Sequence, residues 1–244
     1  MTGHTIKETG PEEYALPAFW TDLREEDLPI LCEQTKGRKF DTSAVLAVAR
    51  RCRHGFPQVV VSSPISSSGM PFPTVFWLTC PFLDHRCGEL ESEQRIAELE
   101  ELFGAMPEAV AKMHLDYAKL RLLLAGGEAA PAFSGMSVGI RRSLAGLGVG
   151  GINWRDAPRA VKCLHLQTAT WLGMGGHPAG EWLAEKIGAQ DCAAGRCAKA
   201  LTLLKAGREA QAGSYGNSRN AALCCGVRLM IYGGVVKISI LTKS

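Results

Sequence analysis

Five cysteines stand where they could gather a soft metal. Cys52 lies in ARRCRHGFPQVVV, Cys80 in PFPTVFWLTCP, Cys163 in VKCLHLQTATWL, and Cys192 and Cys197 close the segment CAAGRC. Thiolate is a soft ligand that suits zinc and iron–sulfur clusters. The chain carries nine cysteines, an odd number, and starts without a basic region followed by an apolar run. Both features count against a disulfide framework and turn attention to ligation or thiol chemistry. The expected ligands are Cys52, Cys80, Cys163 and Cys197, with Cys192 as a substitute, and the expected occupant is an iron–sulfur cluster or zinc. No C-x2-C pair supports this, and a free cysteine is also a good small hydrophobe, so buried core thiols are the competing reading. Cys32 and Cys87 carry no motif and read as structural.

Other residues offer weaker chemistry. Arg50, Arg51 and Arg53 flank Cys52. Positive charge favours thiolate, so a thiol-dependent enzyme with His54 or His165 as base is a further reading. His114 and Arg121 share one edge of the segment MHLDYAKLR and could bind a small anion or act as an acid–base pair. A solvated helix flank explains the same pattern more simply. Gly146, Gly148 and Gly151 match a dinucleotide fingerprint in spacing. No strand precedes them and no βαβ unit surrounds them, so they read as a turning loop. At about 100° per residue, Cys163 and His165 would point to opposite faces of a helix capped by Asp156. Cys163 is then the ligand and His165 a hydrogen-bonded core histidine.

The elements that must position these residues follow from periodicity. Asp41-Thr42-Ser43 is a helix-start cluster before AVLAVARRC, which predicts a helix ending near Gly55. Gln58 to Ser62 and Thr74 to Thr79 read as strands able to pair as a hairpin across a turn-rich loop that includes Ser66-Ser67-Ser68-Gly69. The chain is predicted helical from Glu89 to Gly104 and again from Pro107, where Val110, Met113, Tyr117, Leu120 and Leu124 form an apolar stripe. Residues 128–138 read as a linker, and Asp156 is expected to cap a helix running to Leu172. VRLMIY-GG-VVKISIL reads as a β-hairpin turning at Gly233-Gly234. The expected class is α+β, mostly helical, with a small N-terminal β element and a C-terminal β-hairpin. The expected units are an extension over 1–40, a main domain over 41–206 and a tail over 207–244.

The chain has 244 residues, of which 46% are hydrophobic, enough for a full core without disulfides. Its 27 basic and 24 acidic residues give a net charge of +3, a balance that argues against a nucleic-acid partner. The most apolar stretch, Val227 to Leu241, is interrupted by Arg228, Gly233, Gly234 and Lys237. No membrane span is expected, and the protein reads as cytoplasmic.

Four segments, RRCRHGFPQVVV, PFPTVFWLTCP, GVGGINWRDAPRAVKCLHLQTA and GGHPAGEWL, resemble the bacterial domain of unknown function 501 family over about residues 45–200. The resemblance implies a cytoplasmic bacterial protein without an established activity. Members are often encoded near division and polyphosphate-metabolism genes, which is association and not mechanism. His177-Pro178 departs from the Asn-Pro expected there, and the tail with Cys224-Cys225 lies outside the resemblance. Beside the metal reading stands a non-catalytic interaction protein with a protein partner in cell division or envelope processes.

Overall fold

The computed structural model describes residues 16–66, 69–126, 135–202, 227–232 and 235–240. The expected N-terminal extension up to residue 15, most of the 128–138 linker, Ser67-Ser68, Cys224-Cys225 and the Gly233-Gly234 turn lie outside them.

Three strands, β1 (Val45–Arg51), β2 (Pro57–Ser62) and β3 (Phe76–Leu78), form an antiparallel sheet in that order. Successive side chains alternate faces in a strand, and here both faces are covered. Ala47, Ala49, Val59, Val61 and Phe76 enter the main core, whereas Val48 and Val60 enter a second cluster with Leu31. Val59 pairs with Leu78 and Val61 with Phe76, so the two strands read from the sequence do pair as a hairpin.

The helix predicted from Asp41 is corrected to a strand. Asp41 does cap, accepting the Ser43 N–H at 2.9 Å, but over a single 3-10 turn, Thr42–Ala44. VLAVARR then runs as β1 because its small and β-branched residues can be buried on both faces against β2. Alanine and leucine suit a helix locally, and this tertiary burial overrides the preference.

Helix α1 (Asp27–Gln34) lies near the sheet's second face. After β3 come α2 (Pro81–Ser92), α3 (Arg95–Ala105) and α4 (Pro107–Leu124). The helix predicted over 89–104 is therefore two helices, broken where Gln94 takes a left-handed φ of 60°. The apolar stripe of α4 is buried as its spacing requires. Then follow α5 (Val138–Gly146), α6 (Leu164–Met174) and α7 (Gly180–Ile187), with residues 196–202 helical beyond them.

Helix α6 packs on the main face of the sheet. The Trp20 indole donates to the Gly173 carbonyl at 2.8 Å, and a methyl at Gly173 would overlap the Phe76 ring. The C-terminal segment pairs as β4 (Val227–Tyr232) with β5 (Val235–Ile240), antiparallel, as its sequence predicts. The fold is α+β, mostly helical, with a small antiparallel sheet near the N-terminus. No helix among the described residues is long and apolar enough to cross a membrane.

Candidate functional site

Four of the five chemistry-bearing cysteines gather at one end of the sheet. Cys52 directly follows β1 and opens the tight turn into β2, where its carbonyl accepts the Gly55 N–H at 2.8 Å and its N–H reaches Phe56 at 2.9 Å. Gly55 sits at φ 85°, a conformation that glycine supplies without strain. Cys80 follows β3 and caps α2, and its N–H points to the Gln58 carbonyl of β2 at 3.3 Å. The Cys192 carbonyl accepts from His54 at 2.9 Å and from Arg53 at 3.3 Å. Two neighbouring residues reinforce that docking: Arg53 N–H to Asp191 at 2.9 Å, and the Gln58 side chain to the Gln190 carbonyl at 2.5 Å. Cys197 accepts the Gln34 side-chain N–H on its Sγ at 3.2 Å, and the same nitrogen reaches the Pro57 carbonyl at 2.9 Å.

The thiols also sense one another. Burial is the main cause that raises the Cys80 thiol above its ordinary pKa, and negative charge on Cys197 and Cys52 adds to it. Burial likewise raises Cys197, opposed by the Gln34 hydrogen bond and increased by Cys52 and Cys192. Ionising Cys80 or Cys197 is therefore harder than ionising a free thiol, and a bound cation that takes the place of the proton would offset that cost. No three of the four sulfurs come within 4.8 Å of one another. Of the arginines flanking Cys52, Arg51 is committed to the buried Asp27 carboxylate through two 2.7 Å bonds.

Cys163 lies elsewhere, and its surroundings overturn the helical-wheel argument. The helix does not start at Asp156, whose carboxylate instead accepts from the Asn153 side chain at 2.6 Å. It starts at Leu164, whose N–H is taken at 2.6 Å by Glu91 of α2, a cap supplied from another helix. Cys163 is therefore extended, at φ −160°, and can share a site with His165. Ligand atoms of Glu91, Cys163 and His165 all lie within 4.8 Å of one another, close enough to hold a single ion. His165 places Nδ1 at 2.9 Å from the Glu91 carboxylate and Nε2 at 3.1 Å from the Asp84 carbonyl. Both neighbours are acceptors, so both ring nitrogens donate. Its pKa is pushed up to about 9, first by the hydrogen bond with Cys163 and, against desolvation, by Glu91 and Asp84.

The chain just before Cys163 is strained. Lys162 has φ 73°, and the Cys163 N–H returns to the Val161 carbonyl at 3.0 Å, which closes a γ-turn of the rare positive-φ kind. A non-glycine residue there costs about 1–3 kcal/mol and is kept only where the surroundings enforce it. The Lys162 ammonium is anchored on the Gly150 carbonyl at 3.0 Å. Cys163 and His165 line a cavity of about 240 Å³ with Arg38, Thr74, Trp77 and Lys162.

The pair His114 and Arg121 is corrected from a solvated flank to buried structure, both being fully inaccessible. Arg121 donates to the carbonyls of Leu144 (2.9 Å), Pro73 (3.1 Å), Gly148 (3.2 Å) and Leu147. Leu144 lies in the last turn of α5 and Leu147 just beyond it, so Arg121 satisfies carbonyls that a helix leaves open. His114 Nδ1 accepts the Val149 N–H at 3.1 Å, which fixes the neutral ring, and burial drives its pKa down to about 4. The glycine segment folds around these two side chains as a turning loop with a short 3-10 turn, Val149–Gly151.

Glu91, Asp84, Gln34 and Lys162 were not legible as site residues. The first three look like solvated helix flanks in sequence, and their contacts span 74, 81 and 163 residues respectively. A positive φ at a lysine has no sequence signature at all.

No curated protein and no solved structure matches the chain. A family match covers residues 48–185, which includes β2, β3, α2 to α6, most of α7, Cys52, Cys80 and the Glu91–Cys163–His165 group and leaves Cys192 and Cys197 beyond its end. On that match, which spans more than half of its length, the chain belongs to the family described as "Protein of unknown function (DUF501)".

Proposed function

We propose that this chain is a metal-binding protein in which Cys52, Cys80, Cys192 and Cys197 hold an iron–sulfur cluster. One observation carries the reading. Thiols from the β1–β2 turn, the end of β3 and the segment after α7 converge at one end of the sheet, where Gln34, Gln58, Arg53 and His54 tie the three segments together. Four thiols of this kind are the usual complement of a cluster. A set this open does not match one zinc ion as it stands. Zinc–sulfur bonds of about 2.3 Å in a tetrahedron place sulfurs about 3.8 Å apart, whereas here no three approach within 4.8 Å. Several irons fill a wider space. The Gln34 N–H on Cys197 Sγ and the nearby Arg53 would stabilise the negative charge of the thiolate-bound cluster.

The test is iron, zinc and acid-labile sulfide per chain after oxygen-free purification, with the visible spectrum. Stoichiometric iron and sulfide in a coloured protein are expected, lost in Cys197→Ser and kept in Cys32→Ser. A folded, colourless chain without metal refutes the site. Stoichiometric zinc keeps the ligands and replaces the occupant.

A further inference from the structure

We propose that Glu91, Cys163 and His165 hold one zinc ion beside the cavity that Cys163 and His165 line. The site is separate from the four-thiol centre and does not depend on it.

The convergence of three different ligand types carries the assignment. One ligand atom each from Glu91, Cys163 and His165 lies within 4.8 Å of the other two, and no other three histidine, cysteine, aspartate or glutamate side chains gather as closely among the described residues. Zinc bonds of about 2.0–2.3 Å in a tetrahedron put oxygen and nitrogen ligands about 3.3 Å apart, and sulfur about 3.5 Å from either. His165 Nδ1 and the Glu91 carboxylate stand 2.9 Å apart, so an ion need only part them by about 0.4 Å. Cys163 makes no side-chain cap bond at the start of α6, and rotation about one bond moves its sulfur toward the pair. A mixed oxygen, nitrogen and sulfur set suits zinc, whereas calcium and magnesium take oxygen. One carboxylate, one thiolate and a neutral imidazole also cancel the charge of a divalent ion.

The surroundings already orient these ligands. His165 Nε2 donates to the Asp84 carbonyl at 3.1 Å, which leaves Nδ1 as the atom turned to Glu91. A ligating histidine almost always donates its other ring nitrogen in this way. Glu91 Oε1 accepts the Leu164 N–H at 2.6 Å, which pins the carboxylate at the start of α6, and a carboxylate has further lone pairs for an ion. The ion takes the place of the proton that Nδ1 shares with Glu91 and of the Cys163 thiol proton, so binding releases both. The positive-φ turn at Lys162 and the extended backbone of Cys163 let that sulfur meet the ring two residues on, which a regular helix would not allow. Three protein ligands leave a fourth position to water, as in catalytic rather than closed structural zinc sites. The cavity of about 240 Å³, with Arg38 and Lys162 in its lining, supplies room for it.

Cobalt(II) tests this as a spectroscopic stand-in for zinc. It is titrated into the Cys197→Ser chain after a chelator has stripped the protein. Thiolate charge-transfer and tetrahedral ligand-field bands are expected to saturate at about one cobalt per chain and to bleach when zinc is added. Adding Cys163→Ser to that chain should abolish them. Glu91→Gln, which keeps an oxygen for the Leu164 N–H, and His165→Gln should each weaken binding by at least about tenfold. In the wild-type chain, zinc should shield Cys163 from iodoacetamide and leave the exposed Cys32 reactive, a readout that decides even where a variant does not fold. Cobalt bands that never form, bands that survive Cys163→Ser, or equal alkylation of Cys163 with and without zinc overturn the proposal. Failure of the four-thiol reading looks different: a chain without iron and sulfide whose cobalt bands still vanish with Cys163→Ser keeps this site and loses that one.

Discussion

Replacing Arg121 by methionine removes a buried cation that is paired with no carboxylate among the described residues. Arg121 is fully inaccessible, and its guanidinium meets four carbonyls and the face of Tyr117 at 5.5 Å. Methionine can fill the space and can donate nothing. The Gly148 carbonyl keeps the Gly151 N–H at 3.2 Å, so the loss falls on the carbonyls of Leu144, Leu147 and Pro73. A buried acceptor left without a donor costs about 1–3 kcal/mol, which gives about 3–9 kcal/mol for three. Part is offset, because burial disfavours the guanidinium charge, as its lowered pKa records. A net loss of about 3–5 kcal/mol is expected, a large share of the about 5–15 kcal/mol that holds an ordinary domain together. Urea unfolding followed by tryptophan fluorescence reads it as a lower midpoint with an unchanged slope. Arg121→Lys, which keeps one charge and fewer donors, should fall between. A midpoint for Arg121→Met within about 1 kcal/mol of the wild type would refute the structural role. It would return Arg121 to the anion-site reading.

Two further outcomes follow from the same interior. A methyl at Gly148 would overlap His114, which is pinned by Val149 and stacked on Trp154 at 5.9 Å; Gly148→Ala should therefore cost about 2–4 kcal/mol by overpacking and a lost hydrogen bond, measured as the urea midpoint. His177 is held neutral, its pKa driven down to about 3 by burial and then by His114, while Gln167 accepts from its Nε2 at 3.0 Å. In the unfolded chain histidine titrates near about 6.5, so below that the unfolded state binds the extra proton. Stability is then full above about pH 6.5 and falls as the pH drops toward the folded value. His177→Asn, the residue that the family resemblance leads one to expect, should flatten that acid slope in midpoints measured from pH 7 to pH 4.5. An unchanged slope would place the titration elsewhere.

Local signals were readable where local physics decides. Pro107 and the spacing of Val110, Met113, Tyr117, Leu120 and Leu124 specify α4, because one turn of helix puts those side chains on one face. The Val227–Ile240 hairpin and the pairing of β2 with β3 follow from β-branched runs and turn residues in the same way. VLAVARR was misread because its residues suit either state, and only burial between two clusters chooses the strand. Asp156 was misread as a cap because the true cap, Glu91, comes from a helix that the local pattern cannot see.

By itself the sequence determined the α+β class, the main helices, the family and the short roll of thiols able to do chemistry. Only the tertiary structure sorted those thiols, sending Cys52, Cys80, Cys192 and Cys197 to one end of the sheet and Cys163 to His165 and Glu91. The reason is range. Periodicity and capping act within a few residues, whereas the Gln34–Cys197 bond closes a span of 163 residues and the Glu91–His165 bond one of 74. Contacts of that kind are set by how α1 meets the segment after α7 and how α2 packs against α6, which no local spacing encodes.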